Sequence, residues 1–158
     1  MFDFHIPQYF SQEELEALAH LQGARLEQID YVIWRNIANP QEVYEALDWI
    51  VLGLDSGLEV ALHVNADNKG IEVRPLDFEE AVELTKLQFN GQVELSRVDM
   101  SQSPHWQALM GKAITMVGLI DDGPAGAQNH LLQLQFGTQA LEISLNEEGL
   151  LVKPVSSQ

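Results

Sequence analysis

The chain lacks cysteine and has few basic residues. Its 158 residues include 24 aspartates and glutamates but only 8 lysines and arginines. The absence of cysteine excludes disulfide bonds, thiol catalysis and metal sites built from thiolates. The net charge of −16 repels nucleic acid and anionic membrane surfaces, so we expect neither as a partner. The same charge favours a basic protein as partner, although acidic residues also simply keep proteins soluble.

Long hydrophobic segments are also missing. The longest apolar run, Trp49–Leu54, has the length of a strand and is far too short to span a membrane. The first residues, Met1–His5, show neither the basic region nor the apolar stretch of a secretory signal peptide. We therefore expect a cytoplasmic protein.

The overall composition is that of a folded protein. Apolar residues make up 46% of the chain and charged residues 20%, so the composition does not indicate disorder. A chain of this length can form one sizeable core or two small cores that share an interface.

Two segments of the chain resemble each other, Leu58–Pro75 and Leu141–Pro154. Both contain an apolar strand pattern, then an asparagine at a turn (Asn65 and Asn146), then a second strand that ends in proline. Most paired positions are identical or closely related. We interpret this pattern as an internal duplication.

The first half begins with a helix. Ser11 and Glu14 have the spacing of a capping box, and Gly23 is a natural C-terminal stop. Leu26–Asn36 is rich in β-branched and aromatic residues and predicts a strand, while Asn39–Ala46 predicts a short helical turn. A three-stranded meander follows, with strands at Trp49–Leu54, Leu58–Val64 and Ile71–Arg74.

The middle segment, Leu76–Met100, matches neither copy. Asp77 and Glu80 predict a second helix start, although alternating apolar residues leave a strand open as the alternative. Asn90 and Gly91 predict a turn, with a strand beyond it.

The second half repeats the pattern of the first. Ser103 and Pro104 predict the start of a short helix whose buried face carries Trp106 and Leu109, and Gly111 ends it. After a loop at residues 121–126, the second meander is predicted at Leu131–Phe136, Ala140–Leu145 and Gly149–Lys153.

These elements predict an α+β fold, mostly antiparallel and internally duplicated. We assign residues 1–75 to the first repeat, 76–101 to a connecting segment and 102–158 to the second repeat. A lone meander buries only one face, so the two halves should pack together or join edges around a pseudo-twofold axis.

Metal and cofactor sites are not predicted. The Asn65–Gly70 loop superficially resembles a calcium loop, but Lys69 occupies a ligand position and Leu76 stands where the bidentate glutamate would be. The five histidines, at positions 5, 20, 63, 105 and 130, lack the spacing that places two ligands on one helical face. Neither a nucleophile elbow nor a phosphate-binding glycine loop is present.

Acidic clusters are the candidate binding residues, and no catalytic residue is predicted. They fall in three places: Glu79, Glu80 and Glu83; Asp121 and Asp122; and Glu147 and Glu148. The plainer interpretation is that acids at helix starts and turns favour the helix dipole or meet water. Similarly, Trp34, Trp49 and Trp106 are better explained by core or interface packing than by a ligand cage.

The second half carries a weak resemblance to a known group. The positions concerned are Trp106, Leu109, Met110, Gly111, Lys112, Ile114 and Val117, followed by the strands at 132–136 and 141–144 and by Gly149–Val152. These residues resemble small acidic bacterial proteins of uncharacterised families, some of them grouped with immunity proteins against polymorphic toxins. The resemblance implies an inhibitor of a basic partner and transfers no catalytic residue.

Three functions remain open at this point. The leading hypothesis is a non-enzymatic acidic protein-binding module, with an immunity-type inhibitor of a basic partner as its concrete version. The second is a small-ligand binder or enzyme with a site in a cleft between the halves, where Arg35, His63, His105 and His130 would converge. The third is a structural protein that forms a homodimer through an open sheet edge.

Overall fold

The computed structural model describes residues 7–155, so residues 1–6, which include Met1–His5, and residues 156–158 lie outside the described part. Within it the chain forms two helices, α1 (Gln12–Ala19) and α2 (Phe78–Phe89). The strands are β1 (Leu26–Asn36), β2 (Tyr44–Leu54), β3 (Glu59–Val64), β4 (Ile71–Val73), β5 (Val93–Asp99), β6 (Met116–Asp121), β7 (Ala127–Phe136), β8 (Gln139–Asn146) and β9 (Gly149–Val155). The predicted α+β class is confirmed.

The strands form two antiparallel arrays. The first has the order β5-β1-β2-β3-β4, and the second has the order β6-β7-β8-β9. The arrays are joined where Leu47 of β2 pairs in parallel with Gly149 of β9, and again by an isolated bridge between Arg25 and Ala113. These two junctions curl the nine strands into one continuous sheet.

Both arrays contribute to one hydrophobic core. Ile29, Ile50 and Leu62 of the first array are fully buried in the same cluster as Leu134 and Ile143 of the second. The two halves therefore share a core, which the sequence left undecided.

The predicted capping box of α1 is confirmed. The Glu14 amide donates to Ser11 Oγ at 3.1 Å, and the Ser11 amide donates to Glu14 Oε1 at 2.9 Å. The other carboxylate oxygen of Glu14, Oε2, accepts from the Val73 amide of β4 at 2.7 Å. One carboxylate thus starts the helix and covers an edge strand.

The middle segment forms a helix, so the strand alternative for it is wrong. Asp77 caps α2 by accepting from the Glu80 amide at 3.1 Å. A small outer cluster lies on the face of the first array that points away from the main core. It comprises Val32, Trp49, Val51 and Ala61, covered by Leu76, Phe78 and Leu95.

The helical turn predicted over Asn39–Ala46 is wrong. Residues 39–42 form only a tight turn, in which the Glu42 amide donates to Asn39 O, and β2 already begins at Tyr44. Pairing with β1 over the whole length of β2 satisfies the backbone of this segment better than an isolated helical turn would.

The short helix predicted after Ser103 is reduced to a single 3-10 turn, Gln107–Leu109. Its predicted buried face is correct, because Trp106 and Leu109 are 0% and 3% exposed. The Gly111 amide donates to Leu26 O, so the chain leaves the 3-10 turn and runs into the bridge between the two arrays.

Gly149 meets a backbone requirement at the junction of β2 and β9. Its φ is +108°, and a Cβ atom there would lie 2.5 Å from the carbonyl oxygen of Leu47. Only glycine allows this close approach.

No helix within residues 7–155 is long and apolar enough to cross a membrane.

Candidate functional site

A β-bulge in β2 reorients an acidic residue. Val32 pairs with Trp49 and Ile33 pairs with Leu47, so Asp48 is the extra residue between them. In a regular strand, neighbouring side chains point to opposite faces, but a bulge allows both to point the same way. Asp48 and Trp49 accordingly both contact His63 on the outer face of the first array.

His63 lies at the centre of a polar cluster on this face. Its Nδ1 is 2.6 Å from Glu72 Oε1, and its Nε2 is 3.3 Å from Asp48 Oδ1. The imidazole stacks on Trp49, with ring centroids 4.0 Å apart, and the Arg74 guanidinium lies 5.3 Å from the Trp49 ring centre. His63, which is held by Glu72 and Trp49, in turn positions the Asp48 carboxylate.

Three aromatic rings lie beside this cluster. Trp34 makes edge-to-face contacts with Tyr44, at 6.0 Å between centroids, and with Phe89, at 5.7 Å. Trp34 comes from β1, Tyr44 from the start of β2 and Phe89 from the last position of α2. The helix and the hairpin therefore build the aromatic group together.

These rings border a groove of about 290 Å³, which we call the acidic groove. It is lined by Trp34, Tyr44, Ala46, Leu47, Asp48, Val64, Asn68, Phe89, Glu147, Glu148 and Gly149. Three of these residues are carboxylates and none is Lys, Arg or His. A second groove between α2 and the sheet shares some of these residues and is also lined by His63 and Arg74.

Of the three predicted acidic clusters, only one borders this groove. Glu147 and Glu148 form the β8–β9 turn, where the Glu148 amide donates to Asn146 Oδ1 at 2.7 Å. Within residues 7–155 neither glutamate side chain forms an ion pair. Their carboxylates are therefore available to a partner.

The other two clusters lie elsewhere. Glu79, Glu80 and Glu83 are exposed on α2, and Glu83 Oε1 is 3.6 Å from Lys86 Nζ. Asp121 ends β6 and Asp122 begins the β6–β7 loop. The Asp121 carboxylate accepts from the Gly123 amide at 2.9 Å, and the Asp122 carboxylate accepts from the Tyr9 hydroxyl at 2.6 Å. The Asp122 hydrogen bond raises the pKa of Tyr9. Asp121 and Asp122 thus have structural partners.

The four polar residues expected in a cleft between the halves lie on separate elements. Arg35 pairs with Glu45 across the β1–β2 hairpin at 3.1 Å, and His63 lies in the outer cluster described above. His105 precedes the 3-10 turn and His130 lies on β7. The space between the two arrays is filled by the shared apolar core.

Most lysines and arginines form ion pairs with acidic residues outside the groove. The ion pairs are Arg35–Glu45, Arg74–Glu72, Lys86–Glu83, Arg97 with Asp30 and Glu59, and Lys153–Glu142. Since acids outnumber bases by 24 to 8, these pairs leave most carboxylates unneutralised. The groove keeps its negative charge.

A larger groove of about 380 Å³ lies between α1 and the β3–β4 region. Its walls are mainly apolar, from residues such as Leu58, Val60 and Val73, and Glu13 and Arg74 also line it. It lies within the first half of the chain and does not fall between the halves.

No group of three or more His, Asp or Glu side chains in the described part of the chain is placed to hold a metal ion.

A scan against protein-family models and searches of curated proteins and solved structures found no match.

Sequence reasoning missed most of the groove. The sequence pattern indicates packing for Trp34 and a helical turn for Tyr44, and it gives no signal for Asp48 or Phe89. A correctly predicted β1–β2 hairpin would have supplied a signal, because its register places Trp34 opposite Ala46 and so brings Tyr44 near Trp34.

Proposed function

We propose that the protein is a non-enzymatic module that binds a basic protein, and that the acidic groove is its contact surface. The observation that carries this proposal is the joining of three aromatic rings and three carboxylates in a groove lined by no basic residue. The charge of −16 makes the same surface attractive to a cationic partner at long range.

The two kinds of residue have different roles in this proposal. Exposed carboxylates such as Glu147 and Glu148 steer a basic partner and speed association, while contributing little affinity each. Aromatic residues buried on binding supply most of the affinity at protein interfaces. Trp34, Tyr44 and Phe89 fill that role.

The concrete version is a cytoplasmic immunity-type inhibitor that occupies a basic protein such as a cationic nuclease. The resemblance of packing positions between Trp106 and Val152 to small acidic bacterial proteins, some of them grouped with immunity proteins, supports it. We further propose that the two halves arose by duplication. The equal strand order of β1-β2-β3-β4 and β6-β7-β8-β9 supports this origin.

The test starts with the tagged protein and lysate of its native host, washed at low and then high salt. A basic protein captured this way is then purified, and its affinity for the wild-type protein is measured across ionic strengths. We expect affinity to fall as salt rises, because screening weakens attraction between exposed charges.

Replacing Glu147 and Glu148 by glutamine should weaken the complex roughly three- to tenfold and reduce its salt dependence. The matched control replaces Glu79 and Glu80 by glutamine, which removes the same charge from a surface outside the groove. Equal affinities for the two double variants, or an association rate that ignores ionic strength, would contradict the proposal.

A further inference from the structure

We propose that the acidic groove is a pocket for a single arginine side chain of the partner. In this arrangement the guanidinium lies against the aromatic group and faces the carboxylates of Asp48, Glu147 and Glu148. The inference rests on the proposed function and specifies its chemistry.

The aromatic walls favour a cation. Trp34, Tyr44 and Phe89 all line the groove, and a cation near an aromatic face is attracted by the ring quadrupole, most strongly by tryptophan. Trp34 is only half-buried, whereas Trp49 and Trp106 are 3% and 0% exposed. It is the one tryptophan of the chain that a partner can reach.

The carboxylates complete the site for a donor with several N–H groups. Asp48 is fixed by the bulge and by its 3.3 Å contact with His63. Glu147 is placed by the β8–β9 turn, where its carbonyl oxygen accepts from the Tyr44 hydroxyl at 3.4 Å. Carboxylates only accept hydrogen bonds, so their ligand must supply donors.

Arginine fits this combination better than lysine. Its guanidinium is planar, stacks on aromatic rings and donates to carboxylates in a bidentate fork, whereas the lysine ammonium is a compact, strongly hydrated charge. The groove of about 290 Å³ lies at the small end of ligand pockets, which suits one side chain.

None of the protein's arginines lines the acidic groove. Arg35 follows Trp34 in β1, but its Nε lies 3.1 Å from Glu45 Oε1. Arg74 lines the neighbouring groove, where it lies over the Trp49 ring and pairs with Glu72 at 3.1 Å. The groove is left for an arginine from another molecule.

The test compares two peptides of equal charge, acetylated and amidated hexalysine and the same peptide with its third lysine replaced by arginine. Affinities are measured by titration of the ¹⁵N-labelled protein, with the Trp34 indole N–H signal as the local readout. The single arginine should raise affinity about three- to tenfold and shift that signal further.

In Trp34→Ala the gain from arginine should disappear, while Trp34→Phe, which keeps a ring, should retain part of it. Leu87→Ala is the control, since Leu87 is 77% exposed on α2 and lies outside the groove. Circular dichroism and thermal melting establish that each variant is folded. If Trp34→Ala does not fold, the reduced gain from arginine in Trp34→Phe, compared with the wild type, is the test.

The outcomes separate the two proposals. If both peptides bind with equal affinity, or if the gain from arginine survives in Trp34→Ala, the arginine pocket is wrong. Binding that weakens with salt and in the Glu147/Glu148 double variant would then still support the proposed function. If neither peptide binds at millimolar concentration, both proposals are overturned.

Discussion

A buried hydrogen bond between two aromatic residues connects the halves of the chain. Trp106 Nε1 donates to Tyr31 Oη at 2.6 Å, with Tyr31 on β1 and Trp106 just before the 3-10 turn of the second half. Tyr31 is 9% exposed and Trp106 is 0% exposed, so water cannot readily replace either partner. The bond therefore restricts the relative position of the two halves.

Replacing Tyr31 by phenylalanine should lower the free energy of unfolding by about 1–3 kcal/mol, because it leaves the Trp106 N–H buried without an acceptor. Chemical denaturation measures the change. Tyr44→Phe is the control, since the Tyr44 hydroxyl is exposed and makes only a 3.4 Å contact. A loss in Tyr31→Phe no larger than in Tyr44→Phe would refute the assigned role.

The pH dependence gives a second readout for the same variant. Burial raises the pKa of Tyr31, although the hydrogen bond from Trp106 partly lowers it. Above a pH of about 10 the unfolded chain releases a proton that the native protein retains, so the native state loses stability as pH rises. The stability advantage of the wild type over Tyr31→Phe should therefore shrink above that pH.

At the level of elements, α1 protects the edge of the first array. β4 has only three residues and pairs with β3 alone within the described residues. An unpaired strand edge is a site for unwanted pairing with other chains. Glu14 occupies this edge by accepting from the Val73 amide while its other oxygen caps the helix.

Glu14→Ala should remove both functions of this carboxylate. We expect faster hydrogen exchange at the Val73 amide and a loss of about 1–2 kcal/mol in stability, since a cap alone contributes about 1 kcal/mol. The neighbouring Glu13→Ala is the matched control, because its side chain has neither contact. Unchanged exchange at Val73 would show that the edge is protected by something else.

At the scale of the whole molecule, the shared core implies a single folding unit. Side chains of both arrays, such as Leu62 and Leu134, are 0% exposed in one cluster. The arrays are also linked by the β2–β9 pair and by the Arg25–Ala113 bridge. Neither half can lose its structure without exposing the apolar face of the other.

Leu134→Ala should therefore destabilise both halves together, by about 2–5 kcal/mol. Amide signals from β3 and from β8 followed through a urea titration measure the two halves separately. Their midpoints should coincide in the wild type and shift equally in the variant. A β8 transition that moves while β3 remains in place would indicate two independent units.

Local chemistry explains what could be predicted. The capping box at Ser11, the helix start at Asp77, the turn at residues 65–70 and the second meander each depend on residues close together in the chain, and all of them are seen. The failures are also instructive. Residues 39–46 and 103–111 have helical signals, but pairing of Tyr44–Ala46 with β1 and the bond from the Gly111 amide to Leu26 O override these weak local preferences.

The sequence by itself determined the α+β class, most strand positions, the negative charge and the absence of cysteine chemistry. Only the tertiary structure decided that the halves share one core, that a bulge places Asp48 on the same face as Trp49, and that the turn at Glu147 and the end of α2 line one groove. The reason is physical. Capping, turns and alternation act over a few residues, whereas a groove built from Trp34, Phe89 and Glu147 exists only once segments far apart in the chain have packed.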